Sequence, residues 1–168
     1  MLIRFTVSNF LSFDEEQELS LKAGKARKYS ERLYIKRKLK LVKCEALFGC
    51  NASGKSNLVA ALQFVQNTVE NGFPRGFSNR LKPSRFEIEF ICRDKRFCFG
   101  FSAILNSGNI IEEWLYELTA SGIKKELYSR NVEEESFIIG SYFKKKTAIA
   151  KLVNYGEDPV IMKIFFLP

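Results

Sequence analysis

The eight residues Gly49-Cys50-Asn51-Ala52-Ser53-Gly54-Lys55-Ser56 restrict this chain more than any other feature of its sequence. They match the G-x-x-x-x-G-K-[ST] pattern in full, and the context fits. The short apolar run Cys44–Phe48 precedes them, and after Gly54 the residues Leu58, Leu62, Val65 and Val69 recur at helical spacing. This reads as a buried strand, a glycine turn and an amphipathic helix over Lys55–Glu70, closed by Gly72 and Pro74. Glycine at positions 49 and 54 allows the turn to bring successive N–H groups onto one anion, and the helix N-terminus adds its partial positive charge.

That geometry is expected to cradle the phosphates of a nucleoside triphosphate, ATP with Mg²⁺, along residues 49–56 and the adjoining Asn57. Lys55 is expected to bridge the β- and γ-phosphates, and the Ser56 hydroxyl to ligate Mg²⁺. Hydrolysis needs in addition an acid at the end of an apolar strand. Glu87 and Glu89 alternate with Phe86, Ile88 and Phe90, Glu112 and Glu113 follow only two apolar residues, and Asp94 sits in a turn. All of these read as solvated carboxylates, so the catalytic residues stay unassigned, and the isolated chain is expected to bind ATP but turn it over slowly or not at all.

The flanking sequence divides by periodicity. Leu2–Ser8 alternates with Ile3, Phe5 and Val7 on one side, and a second strand near Glu16–Ala23 makes a hairpin with it. From Arg85 the pattern has period two, broken at Arg93-Asp94-Lys95, Asn106–Asn109 and Ser121-Gly122, which predicts an antiparallel meander through Ser129 and a further strand at Phe137–Phe143. A short helix is expected at Thr147–Val153 before an apolar ending, Val160–Pro168. The expected class is therefore α/β (α+β): a mixed sheet with the strand before Gly49 at its centre, one main helix, and the meander. Residues 1–168 read as one lobe, with hairpin, phosphate loop and helix in 1–72 and the meander in 85–143.

Composition limits the remaining choices. With 46% apolar residues and sixteen Phe, the 168-residue chain can fill a core. No apolar run approaches the roughly 20 residues needed to span a bilayer, and four cysteines without histidine fit a reducing compartment, so a cytoplasmic protein without a membrane partner is expected. The net charge of +8 is concentrated between Lys22 and Lys43, where ten Lys or Arg face one acid, Glu31. A solvated loop has this composition, and so does a surface for DNA or RNA. The second reading leaves open a non-catalytic nucleic-acid-binding module whose nucleotide site is a relic or binds its ligand only. A small P-loop kinase is a third reading, against which the strand-rich second half stands.

The order of Ile3–Phe13 and then Leu47–Leu58 resembles the N-terminal lobe of ABC-like ATPases related to SMC and RecF heads. With Pro83–Phe90 and Glu112–Glu117 added, residues 1–140 look more closely like the bacterial AAA-type ATPases of the OLD and abortive-infection group. The resemblance implies that Asn9 and Ser12 lie near the adenine or ribose, and that Asn51 sits on the γ-phosphate side of the loop. It also implies a second ATPase lobe or homodimer partner carrying the signature and Walker B segments, without which this chain is incomplete. A role in anti-phage defence beside an effector nuclease follows from the same likeness. This chain departs from that pattern in having no histidine and a short stretch between Glu70 and Pro83.

Overall fold

The computed structural model describes residues 1–24, 30–36, 38–74, 81–119 and 121–139. Seven strands form one sheet in the order β2-β1-β5-β6-β7-β8-β9, and every ladder in it is antiparallel. They are β1 (Leu2–Ser8), β2 (Gln17–Ser20), β5 (Ser84–Cys92), β6 (Lys95–Ile104), β7 (Asn109–Leu118), β8 (Lys124–Asn131) and β9 (Ser136–Ile139). The short strands β3 (Leu33–Lys36) and β4 (Leu39–Val42) pair as a separate hairpin, and the long helix α1 spans Lys55–Asn71. The strands run past short turns at the places where period two breaks in the sequence, as expected of the meander. The expected helix at Thr147–Val153, the ending Val160–Pro168 and the last residues of the Phe137–Phe143 strand lie outside the described residues.

Strand alternation sorts the side chains into two layers. One row of paired residues, Phe5, Ile88, Phe99, Leu115 and Tyr128, runs across five strands on the face that α1 covers. Phe64 of α1 is the hub of that layer, with ring centroids 5.2 Å from both Phe10 and Phe86, while Phe86 lies 5.1 Å from Phe101. Helix burial centres on Ala61, Phe64, Val65 and Thr68, with Leu58, Leu62 and Val69 at the margins. The apolar stripe is thus rotated from the one expected, because Phe64 fills the gap between Phe10 and Phe86 and draws its own side of the helix inward. Gly72, at φ 90°, ends the helix by donating its N–H to the Thr68 carbonyl.

Four further expectations are corrected. The strand proposed before Gly49 does not form, and the sheet is not mixed: residues 44–50 carry no ladder, and Phe48 is 90% exposed. No described strand lies beside this run, and an extended segment without a neighbour has no hydrogen-bond ladder to hold it. The basic stretch is not merely a solvated loop, because Tyr34, Leu39 and Leu41 of the β3–β4 hairpin pack on Ile3 and Ile91. Ile3 does not share a face with Phe5 and Val7. A register shift between Leu2 and Arg4 turns it to the opposite layer. Glu89 and Glu113, read as solvated, are 4% and 1% exposed.

Candidate functional site

Residues 49–54 reach the first turn of α1 through two left-handed residues, Ala52 (φ 64°) and Gly54 (φ 86°). Leu58 makes the first helical bond, its N–H donating to the Gly54 carbonyl, so the N–H groups of Lys55, Ser56 and Asn57 have no partner among the described residues. Among the described residues, no side chain caps the helix. Three open donors, at the positive end of a helix of 17 residues, form a site with the polarity of an anion receptor.

The Lys55 ammonium is folded onto its own loop. It donates to the carbonyls of Gly49 (2.9 Å) and Cys50 (2.5 Å) and to the Ser53 hydroxyl (3.0 Å). Those bonds hold the loop curved around the charge that a phosphate would meet. The Ser56 side chain is exposed beside it, and Cys50, Asn51, Ala52 and Ser53 are exposed as well.

The loop between β1 and β2 braces this turn from the side. Phe13 lies against Gly54 so closely that a Cβ there would stand 2.9 Å from the ring, which adds a steric requirement for glycine to the conformational one. Asn57 donates to the Ser12 hydroxyl at 2.5 Å. Asn9 is used differently: its amide donates to the carbonyls of Lys82 (2.8 Å) and Pro83 (3.1 Å), while the Ser84 hydroxyl donates to its carbonyl. The structure therefore brings Ser12, Asn57 and the loop together and commits the Asn9 side chain to the start of β5. The Phe13 contact escaped sequence reasoning, since nothing local to either residue reports a contact 41 positions away.

The candidate acids are held elsewhere. Glu87 and Glu89 belong to a charged layer on the far face of the sheet, where Arg4 contacts Glu87 (2.7 Å), Glu18 (3.4 Å) and Glu89 (3.6 Å). Arg96 also pairs with Glu89. Burial works against the Arg4 charge, yet Glu87, Glu89 and Glu18 together hold its pKa above the ordinary value. Asp94 is exposed in its turn, and the hydrogen bond and charge of Lys36 lower its pKa.

Glu113 faces the same layer as Leu115, beside Arg130 at 3.2 Å and the Tyr128 hydroxyl at 3.2 Å. Burial pushes its pKa up to about 7, against the opposing pull of Arg130 and of the bond from Tyr128. The ion pair is poorly aligned, leaving Glu113 Oε1 and Arg130 Nε without a hydrogen-bond partner among the described residues. Period-two counting does place Glu113 on the Leu115 side; what it does not give is the packing that excludes water there.

A glycine turn of this geometry opens a 17-residue helix. Residues 46–139 match the family described as "AAA domain, putative AbiEii toxin, Type IV TA system", a span of more than half the chain. The chain belongs to this AAA-domain family. The match begins at Ala46, just before the loop, and ends in β9, so it takes in α1 and the meander together. A nucleotide-binding, ATPase-like module is the function the family supports. No curated protein matches the chain. Among the described residues, no helix of this AAA domain is long and apolar enough to cross a membrane.

Proposed function

We propose that this AAA domain binds Mg·ATP through residues 49–57 and acts as the N-terminal lobe of an ABC-like ATPase, related to SMC and RecF heads and to the OLD and abortive-infection group. The observation that carries the reading is the set of N–H groups at Lys55, Ser56 and Asn57 without a partner among the described residues, at the end of a loop whose Gly49 and Cys50 carbonyls hold the Lys55 ammonium. The residues present fit a triphosphate. The backbone donors would take phosphate oxygens, and Lys55 would exchange its carbonyl partners for a β/γ oxygen. Ser56, exposed at the first turn, would hold Mg²⁺. Bound Mg²⁺ would neutralise phosphate charge.

Neither Glu113 nor Glu89 serves the loop: their contacts are Arg130 and Tyr128 for one, and Arg4, Lys22 and Arg96 for the other. In this proposal hydrolysis therefore requires a carboxylate and a signature segment from a second lobe or a second copy. A part in a toxin–antitoxin system belongs to the same proposal and rests on the family description, whereas an anti-phage role beside an effector rests on the resemblance alone.

Thermal melts test it. Mg·ATP at about 100 times its dissociation constant should stabilise the chain by about 2.7 kcal/mol, a shift of roughly 5 to 10 °C. Lys55→Ala should lose that shift while leaving the ligand-free melt nearly unchanged. Ser56→Ala should keep part of the shift but lose its sensitivity to EDTA. Equal shifts with and without the Lys55 ammonium would remove the loop as the nucleotide site.

A further inference from the structure

The end of the sheet remote from the phosphate loop holds a concavity that the nucleotide site does not use. Ser12 and Asn9 follow the C-terminal end of β1, whereas its N-terminal end lies with the Arg93-Asp94 turn, since the Met1 ammonium donates to the Ile91 carbonyl. At about 3.3 Å per residue, β1 alone separates these two ends by about 20 Å. At the remote end the β3–β4 hairpin packs on the sheet through Leu41, Tyr34 and Leu39, and its Lys36 pairs with Asp94, bordering an open groove of about 730 Å³.

The floor and the rim differ in chemistry. Leu39, Ile91 and Leu118 supply apolar surface, and Lys36, Lys38 and Lys95 supply positive charge around it, while Arg96 is held on the buried Glu89. The two acids of the lining, Asp94 and Glu117, are engaged with Lys36 and Lys95. Lys38 is exposed and has no ionic partner among the described residues. Arg93, Lys124 and Lys125 are exposed at the same end, in or next to the turns that border the groove. Arg96, Leu118 and Lys124 are paired across β6, β7 and β8 over about 10 Å of sheet, with Arg96 held on Glu89 and Lys124 over the Tyr116 ring.

We propose that this basin binds a single strand of nucleic acid. Its rim cations contact consecutive phosphates, and its floor shelters the sugar or base of the nucleotide between them. A positively charged groove that tracks the backbone is how proteins hold single strands without reading their sequence, and here the aliphatic Leu39, Ile91 and Leu118 stand where such grooves carry aromatic rings. The volume falls within the range of about 300–1,000 Å³ that encloses a ligand of drug size, and so takes a nucleotide or two of a flexible strand. A duplex presents a stiff convex surface that cannot enter. Lys36 and Lys95 can exchange carboxylate for phosphate at small cost, because exposed ion pairs are worth only about 0–1 kcal/mol.

Fluorescence anisotropy of the 168-residue chain with an end-labelled oligothymidylate of about 15 nucleotides tests the proposal. Binding should be measurable at ~50 mM salt and fall by about 20-fold at ~200 mM, the slope for three neutralised phosphates on a single strand. Lys38→Glu combined with Lys95→Gln should weaken binding at least tenfold at low salt and flatten the salt dependence. Lys38→Glu alone, at a position with no ionic partner to lose, should move the same way and guards against a folding defect in the pair. Lys55→Ala should bind the strand like the unmutated chain, which separates this site from the phosphate loop. The proposal is overturned if the unmutated chain does not bind at ~50 mM salt, if charge reversal at Lys38 changes nothing, or if Lys55→Ala loses as much as the basin variants. It is equally overturned if a duplex of the same length binds as tightly, or if oligoglutamate or free mononucleotide displaces the strand as well as unlabelled oligothymidylate does.

Discussion

The meander β5–β8 and the stretch Cys44–Gly54 are both rich in residues that could be buried, and they end up in opposite states. In the meander every strand has neighbours on both sides, and Phe86, Phe99, Phe101 and Leu115 are each no more than 2% exposed. In the loop stretch Leu47 and Phe48 are 41% and 90% exposed, and the turn is held by Lys55, Phe13 and the Ser53–Cys50 backbone bond. Hydrophobic sequence drives burial only where a partner surface exists to bury against. The difference also suits the proposed nucleotide site. A sheet fixed by many contacts can carry a loop whose donors stay open toward a ligand.

Removing packing from the meander should give the largest effect. Phe101→Ala deletes a fully buried ring that touches Phe86, Phe99 and Phe73, and should cost about 3–5 kcal/mol in denaturant unfolding. If Phe48→Ala cost as much, the contrast between the two regions would be wrong.

Next comes pH. The folded pKa of Glu113, about 7, lies above its ordinary value of 4.5, so the folded chain holds that proton more tightly than the unfolded chain. Stability should therefore fall as pH rises from about 4.5 to about 7 and level off above, by on the order of 3 kcal/mol. Unfolding free energies measured across that window should lose the slope in Glu113→Gln, and an unchanged slope would assign it to other groups.

Gly100→Ala should be somewhat milder, about 1–3 kcal/mol in the same unfolding assay. A Cβ there would stand 2.2 Å from Trp114 Cζ2 and 2.7 Å from the Phe86 carbonyl oxygen. The indole can tilt, the carbonyl of a paired strand cannot, and a neutral result would mean that β5 and β6 have slack.

At the small end, Phe48→Ala should change stability by less than about 0.5 kcal/mol, as for other exposed positions. A larger loss would show that Phe48 is covered in solution.

Sequence periodicity alone was enough to place α1 and β5–β8 within a few residues, and the glycine turn Gly49–Ser56 was legible as a motif, because both are repeating or contiguous patterns. The loop's open donors also follow from its being the start of a helix. Burial was less legible. Glu89 alternates correctly with Phe90 yet is 4% exposed, because Arg4 and Arg96 close over it from other strands. The basic stretch read as solvated, yet its Leu39 and Leu41 found Ile3 and Ile91.

What the sequence determined by itself is local: where the chain turns, which residues share a face, and where a glycine-rich turn meets a helix. Each depends on residues a few positions apart, whose geometry the backbone fixes. Tertiary structure alone decided that Phe13 braces Gly54, that Glu113 is dehydrated beside Arg130, and that Cys44–Phe48 makes no strand. Each of these depends on whether a distant segment arrives to supply a surface, a charge or a ladder of hydrogen bonds, and no local pattern encodes that arrival.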